Sequence, residues 1–406
     1  MRIPRSTAAL LCAAVLVVGA SAWHLYAVDL YMPQTYSDLL PRIVGTRDTL
    51  RGISPYSEHA LHDIQRACYG KVIGANSHLD PQYFSYPALI IPLILPISGL
   101  SWLMARDLFL AIVVPLLLLS FSWWARKMLP NLSSAATAAV ALMCLGVWPV
   151  VWGLRLQQPT VVAFILITGA IASVQKDRGW IAGACLAVAA IKPQIALPIT
   201  AWLMVWSIRK KRFGIFAAFF GVLGALWLGA DFLLPSWFSK WLASLGAYTS
   251  INKPLAEMFF SKWFGLGVTV VLAWFCVQQL WGMLDSAADS DRFLEAVALA
   301  LAATLMVVPM QPTFLYDQVL LVPAVLYAMR ESGLSPKCSW LARGAVTISM
   351  ALVLVSAAVE TVRPNGVIWY ILPFFSQPLP LVVVIAMLLG GGRKCLEDSH
   401  SHALPA

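Results

Sequence analysis

The stretch 86-YPALIIPLILPISGL-100 is apolar enough to count as a membrane span, yet Pro87, Pro92 and Pro96 interrupt it. The topology of the whole chain turns on whether it crosses. Basic residues sit in short clusters between apolar runs: Arg126-Lys127, Lys176 with Arg178, Arg209 to Arg212, and Arg393-Lys394. If 86–100 crosses, 126–127 and 176–178 fall outside while 209–212 has to come inside. If it lies in the interface or re-enters, 126–127, 176–178, 209–212, 330–343 and 393–394 all fall inside. Cytoplasmic loops carry the excess of Lys and Arg, so the second arrangement is preferred. A proline also removes a helical hydrogen bond and clashes with the preceding turn.

Composition sets the same class. Of 406 residues, 60% are hydrophobic and 12% charged, about half the charged share usual in a soluble domain. Mean hydropathy is +0.77. One soluble core could not hide that much apolar surface. The expectation is an all-α polytopic membrane protein with 1–406 as a single integral membrane domain. About 12 spans are predicted near 8–28, 106–125, 134–152, 159–175, 179–192, 194–208, 213–234, 263–284, 293–311, 314–329, 340–361 and 368–390. Both termini are then cytoplasmic. The segment 29–105 is an outer loop with amphipathic or interfacial helices, and 395–406 is a disordered cytoplasmic tail. Residues 8–28 read as an uncleaved first span, with Ala20-Ser21-Ala22 as the signal-peptide alternative.

The net charge of +9 does not mark a nucleic-acid binder, because no basic stripe is interleaved with aromatics on a polar surface. The seven Cys include no CxxC pair, so neither zinc nor a redox site is indicated. No Walker A loop, HExxH or GxSxG is present, which gives no support to ATP hydrolysis, a zinc protease or a serine esterase.

Ionisable residues in or beside a membrane are costly and therefore functional candidates. Four segments hold them, all on the expected outer side. The first loop carries Asp29, Asp38, Arg42, Arg47, Asp48 and Tyr56. Asp38, Arg42 and Asp48 fall three to four residues apart or at multiples of that, so one helical face can carry them. A carboxylate held near an arginine stays ionised and suits a general base; a salt-bridged amphipathic helix is the alternative. The second segment is 153-GLRLQQP-159, where Arg155, Gln157 and Gln158 could grip a phosphate or sugar hydroxyls, or simply end a helix. The third is 190-AIKPQ-194, where Lys192 is a phosphate partner or a snorkelling lysine. The fourth is 309-PMQPTFLYDQ-318, where Asp317 beside Tyr316 is a site residue or a buried charge paired with another helix.

The chain resembles the polyprenol-phosphate-sugar-dependent glycosyltransferases of family 87, which have a GT-C fold. The matching pieces, in order, are Tyr36 to Arg42 (YSDLLPR), Gly45-Thr-Arg47, Leu50 to Tyr56 (LRGISPY), Asp63-Ile-Gln65, Phe84 to Pro87 (FSYP), Arg155 to Pro159, Ala182 to Pro193 (AGACLAVAAIKP), and Tyr316-Asp317-Gln318 running on to Pro323. The resemblance implies a catalytic aspartate in the first outer loop, at Asp38, with Asp29 as runner-up. It implies a sugar donor on a polyprenyl phosphate, with mannose the best-known sugar, and a lipid or glycan acceptor. Transfer would be inverting, at the outer face of the bacterial cytoplasmic membrane, among membrane lipids. Arg42, Arg47, Arg155 and Lys192 would be the candidates to hold the lipid phosphate, and 86–100 would be the interfacial helix. No cofactor and no metal is implied. The chain departs from the family at Tyr86-Pro87-Ala88, where many relatives have Tyr-Pro-Pro. Leu156-Gln157-Gln158 stands in place of a Gly-Gln, and Gln311 and Gln318 lie where relatives often have a histidine. A lipid or small-molecule transporter is the alternative class; it would predict broken, charged helices at mid-bilayer and two similar halves.

Overall fold

The computed structural model describes residues 5–29, 35–74, 77, 79–249, 253–254, 261–307, 309–310, 315–330, 340, 344, 348 and 378–401. These residues are almost entirely helical. The strands among them are Lys253–Pro254 and Pro309–Met310, paired antiparallel. The fold is therefore all-α, as expected, and its apolar helices make it a multi-pass membrane protein.

Among the described residues, three helices are long and apolar enough to cross a membrane: Trp102–Met128, Phe213–Leu233 and Lys262–Gly282. A fourth span exists if Ser134–Gly146 and Trp148–Arg155 count as one, across a bend of 60°. The expected count of about 12 is not reached among the described residues, because the chain breaks its apolar runs. Val147 is extended between the two halves of the bent pair, and Pro149 follows. The expected spans 159–175, 179–192 and 194–208 become helices Pro159–Gln175, Gly179–Ala189 and Pro193–Arg209. The middle one has 11 residues, a rise of about 16 Å against a hydrocarbon core of about 30 Å. Pro193 starts the next helix because its missing N–H belongs to the donors a helix start leaves free.

The stretch 86–100 forms no continuous helix. It is a 3-10 turn Ala88–Ile90, a helix Ile91–Ile94 and a second 3-10 turn Leu95–Ile97, broken at the prolines. The expected span 340–361 lies largely outside the described residues, as does the first part of 368–390. The last helix is Pro378–Ser401; its backbone continues into the segment 395–406 that was expected to be a disordered tail.

The largest core runs through Phe121, Trp124, Phe164, Ile199, Leu203, Trp206 and Phe293, where the helices between 102 and 307 meet. Helices Gly179–Ala189 and Phe213–Leu233 come together at Gly183, where a Cβ would run into the backbone of Ile215. A smaller core under the first loop joins Leu40, Val44, Ile64, Phe84 and Ile91 to Ile191 and Trp237. A third holds Trp148, Trp152, Leu156, Leu315 and Tyr316 together. The second and third cores bracket the polar residues described next.

Candidate active site

The first loop enters helix Leu39–Leu50 through Ser37 and Asp38. The Ser37 hydroxyl accepts from the Leu39 amide at 3.0 Å and donates to Gln157 Oε1 at 2.5 Å. The Asp38 amide donates to the Leu156 carbonyl at 2.9 Å. The helix start is thus docked on the turn 153–158. Ser37 serves the Leu39 amide, and Asp38 stands at the cap position with no side-chain cap bond. Its carboxylate makes no hydrogen bond or ion pair among the described residues. The residue is partly exposed, so the carboxylate is both enclosed by protein and reachable. Burial is the main reason its carboxyl is pushed up to about 6; the positive charges of Arg42 and Lys192 pull it down, and Asp80 and Asp317 push it up.

Arg42 lies one turn along the same helix and is only 2% exposed. Its Nη1 donates to the Gln157 carbonyl at 3.3 Å, and its guanidinium stands over the Tyr86 ring at 4.1 Å. Its Nε and Nη2 are buried with no partner among the described residues. Gln158 is fully buried, and neither Oε1 nor Nε2 has a partner among the described residues. A buried polar group left without a hydrogen bond costs about 1–3 kcal/mol, and more when charged. Arg42 presents two such atoms one turn along from Asp38, and Gln158 two more in the turn on which the start of that helix is docked.

The other half of the site is closed on itself. Lys192 Nζ sits 2.8 Å from Asp317 Oδ1, with side chains 5% and 2% exposed. Thr160 Oγ1 donates to the same oxygen at 2.5 Å, and Lys192 also donates to Thr160. The Tyr316 ring lies 4.9 Å from the ammonium. Three chain breaks bring these groups together: Thr160 follows the helix-starting Pro159, Lys192 precedes Pro193, and Asp317 lies in the 3-10 turn Leu315–Leu321.

Segments far apart in the chain therefore meet at a carboxylate flanked by cations and amides. Residues 84–310 match glycosyltransferase family 87, which is 227 of the 406 residues. The chain belongs to glycosyltransferase family 87. No curated protein matches it. Membership makes it a transferase with a sugar donor and an acceptor. The matched region holds Tyr86, Arg155, Gln157, Gln158 and Lys192. Asp38 and Arg42 lie before it, and Tyr316 and Asp317 after it. The candidate site thus draws on segments before and after the family match.

The expected site residues divide on their contacts. Asp38, Arg42, Gln158, Lys192, Tyr316 and Asp317 lie together. Arg47 does not join them: its Nε and Nη2 donate to the carbonyls of Ser98 at 2.6 Å and Leu100 at 2.7 Å, so it clamps the proline-rich segment. The Tyr56 hydroxyl donates to the Tyr86 carbonyl at 2.8 Å. Gln157 Nε2 donates to the carbonyls of Leu154 at 2.9 Å and Arg155 at 2.6 Å, and its Oε1 holds Ser37. Arg155 Nη1 donates to the Tyr36 carbonyl at 3.0 Å. Asp29 ends helix Arg5–Asp29, and its side chain lies outside the described residues, as do residues 311–314. Thr160 and Tyr86 were not expected in the site. Thr160 carried a weak signal, a hydroxyl directly after Gln157-Gln158-Pro159; Tyr86 stood inside a quoted motif with no role assigned.

Proposed function

We propose that this family 87 glycosyltransferase moves a hexose, such as mannose, from a polyprenyl-phosphate donor to a lipid or glycan acceptor, with inversion. It acts on the outer side of the bacterial cytoplasmic membrane, where the short apolar helices complete a bundle of about 12 membrane-embedded segments. The single observation that supports this reading is that, among the described residues, the Asp38 carboxylate, two buried donors of Arg42 on the same helix and the buried amide of Gln158 have no partner.

Asp38 removes the proton of the acceptor hydroxyl. The hydroxyl oxygen attacks the anomeric carbon from the face opposite the phosphate, and the C–O bond to the phosphate breaks. The electron pair leaves with the polyprenyl phosphate. The Arg42 guanidinium lies where it can balance that developing negative charge through Nε and Nη2, a geometry matched to phosphate oxygens. The Gln158 amide offers one donor and one acceptor to a hydroxyl of the sugar. Lys192 and Asp317 hold their two broken chain segments together and contribute a balanced pair near Asp38. Arg47, Tyr56, Arg155 and Gln157 position the helix that carries Asp38.

The test is transfer from radiolabelled polyprenyl-phosphate hexoses by wild type and Asp38→Asn, with lipid extract as acceptor. Transfer by wild type and none by the variant is expected. Equal transfer by both would move the base to Asp29. A wild type inert with every donor, in the presence of a validated acceptor extract, would overturn the reading in favour of a transporter.

A further inference from the structure

A cavity lies behind the wall that carries Tyr86. It measures about 210 Å³ and is lined by Tyr56, Glu58, Tyr83, Phe84, Ser85 and Ser244, among others. Pockets that enclose drug-sized ligands measure roughly 300–1,000 Å³, so this one suits a single ring-sized group and not a lipid chain. Its described lining contains no Lys, Arg or His, which disfavours a phosphate. What it offers instead is aromatic faces with hydroxyls and one carboxylate at its edge. The Tyr83 ring is 41% exposed, and Glu58 is largely exposed. Apolar ring faces with scattered hydrogen-bonding oxygens suit a neutral sugar, which has C–H faces to stack and hydroxyls to donate.

The position of the cavity relative to Asp38 is fixed by the helix Leu39–Leu50. Gly45 touches the cavity wall: a Cβ there would meet Phe84 at 2.5 Å and Pro55 at 3.2 Å, and both residues line the cavity. Gly45 lies seven residues beyond Asp38, about 10 Å along the helix. The same wall leads back to the site. Tyr56 lines the cavity and bonds the carbonyl of Tyr86, whose ring lies under Arg42. Helix Trp237–Thr249 closes the other side, with Trp241 Nε1 donating to the Ser85 carbonyl at 3.1 Å.

We infer that this cavity binds a neutral hexose unit of the acceptor glycan, one or two sugars inward from the hydroxyl that Asp38 deprotonates. The assignment rests on the transferase reading above, and it makes the acceptor a glycan chain rather than a bare lipid alcohol. Recognition would come from stacking on Tyr83 and from hydroxyl contacts to Glu58 and Ser244.

The test uses saturation-transfer NMR on the full chain in detergent, with a fixed set of neutral hexose disaccharides as probes and glucose 6-phosphate as control. At least one disaccharide should bind to wild type and to Asp38→Asn alike. Tyr83→Ala, at an exposed position that tolerates truncation, should reduce that binding at least tenfold, and Tyr83→Phe should retain it. Ser244→Trp, which fills the cavity, should abolish it. Donor turnover to water or to a short acceptor is measured on the same samples and should be unchanged in Tyr83→Ala. No disaccharide binding to wild type, or binding that survives both Tyr83→Ala and Ser244→Trp, overturns the inference while leaving Asp38-dependent turnover to stand for the transferase. Disaccharide binding without any donor turnover removes the acceptor assignment together with the transferase reading.

Discussion

Two charged clusters that meet in the same candidate site obey opposite rules. In one, Lys192, Asp317 and Thr160 are buried and bond one another, with Asp317 Oδ1 accepting from both partners. In the other, Asp38, Arg42 and Gln158 are enclosed by the same protein but leave a carboxylate, two guanidinium nitrogens and an amide without partners among the described residues. A buried pair that is complete holds its backbone in place and has little left to offer a ligand. A cluster kept incomplete carries an energetic penalty that a correctly shaped ligand relieves. On the proposed function, the difference would separate the part of the site that chemistry needs from the part that architecture needs, and each prediction below probes that line.

The largest effect is expected at Asp38. Asp38→Asn is nearly isosteric and removes the proton acceptor, so transfer should fall by about 10²–10⁴-fold. Stability should move the other way. Burial raises the folded-state carboxyl to about 6, above its unfolded value, so the ionised side chain weakens the fold at neutral pH and this penalty is relieved as pH falls below 6. Asn removes the charge, and the melting temperature at pH 7 should hold or rise. A variant that transfers within tenfold of wild type would take Asp38 out of the chemistry.

The complete cluster should respond in stability first. Lys192→Met strands the Asp317 carboxylate in the interior, at a cost of about 3–5 kcal/mol. The double variant Lys192→Met/Asp317→Leu strands nothing and should recover most of that loss in a denaturation experiment. If the double variant is as unstable as the single one, the pair is not the self-contained unit described. If it is stable but inactive, Lys192 also serves the ligand, and the two clusters are less distinct than their contacts make them.

The incomplete cluster should also be the one that titrates. With the Asp38 carboxyl near 6, the base is ionised above that pH and protonated below it. The rate at saturating donor should be flat above pH 7 and about tenfold lower at pH 5. A profile flat through pH 5 would mean that the group supplying the base is held at a lower value than Asp38.

Much of this division was visible in the sequence at the level of segments but not of side chains. Charged and amide residues at 38–42, 155–158, 192 and 317 could be assigned to one side of the membrane because they end apolar runs, and the structure brings them together. The pairing of Lys192 with Asp317 could not be read, since 125 residues separate them; only the alternative of a buried charge paired with another helix stood for it. Arg47 looked like a phosphate ligand because an arginine in a polar loop carries no mark of the carbonyls it serves. The span count is not reached among the described residues for a related reason. Apolar content says that a segment avoids water, whereas helix length is set by local breaks such as Val147 with Pro149 and Lys192 with Pro193, and the second of these leaves Gly179–Ala189 with 11 residues.

The smallest expected effect tests the line between the clusters at its narrowest point, the neighbours Gln157 and Gln158. Gln157 takes a left-handed backbone with φ of 50°, and this turns the two side chains to different tasks. Gln157 is fully bonded to Leu154, Arg155 and Ser37, whereas Gln158 bonds to nothing described. Gln157→Leu should therefore lose about 1–3 kcal/mol of stability, because Ser37 and two carbonyls lose a partner, and donor selectivity should be unaffected. Gln158→Leu exchanges a partnerless amide for a side chain of similar size, so it should fold as well as wild type or slightly better. Its donor KM should rise by about tenfold, the worth of one or two neutral hydrogen bonds, and it should lose preference between a donor hexose and its deoxy analogue. The same substitution at adjacent positions would then give a stability defect in one case and a selectivity defect in the other. Equal stability losses at both would show that Gln158 is bonded in the working protein, and Arg42 alone would then mark the open half of the site.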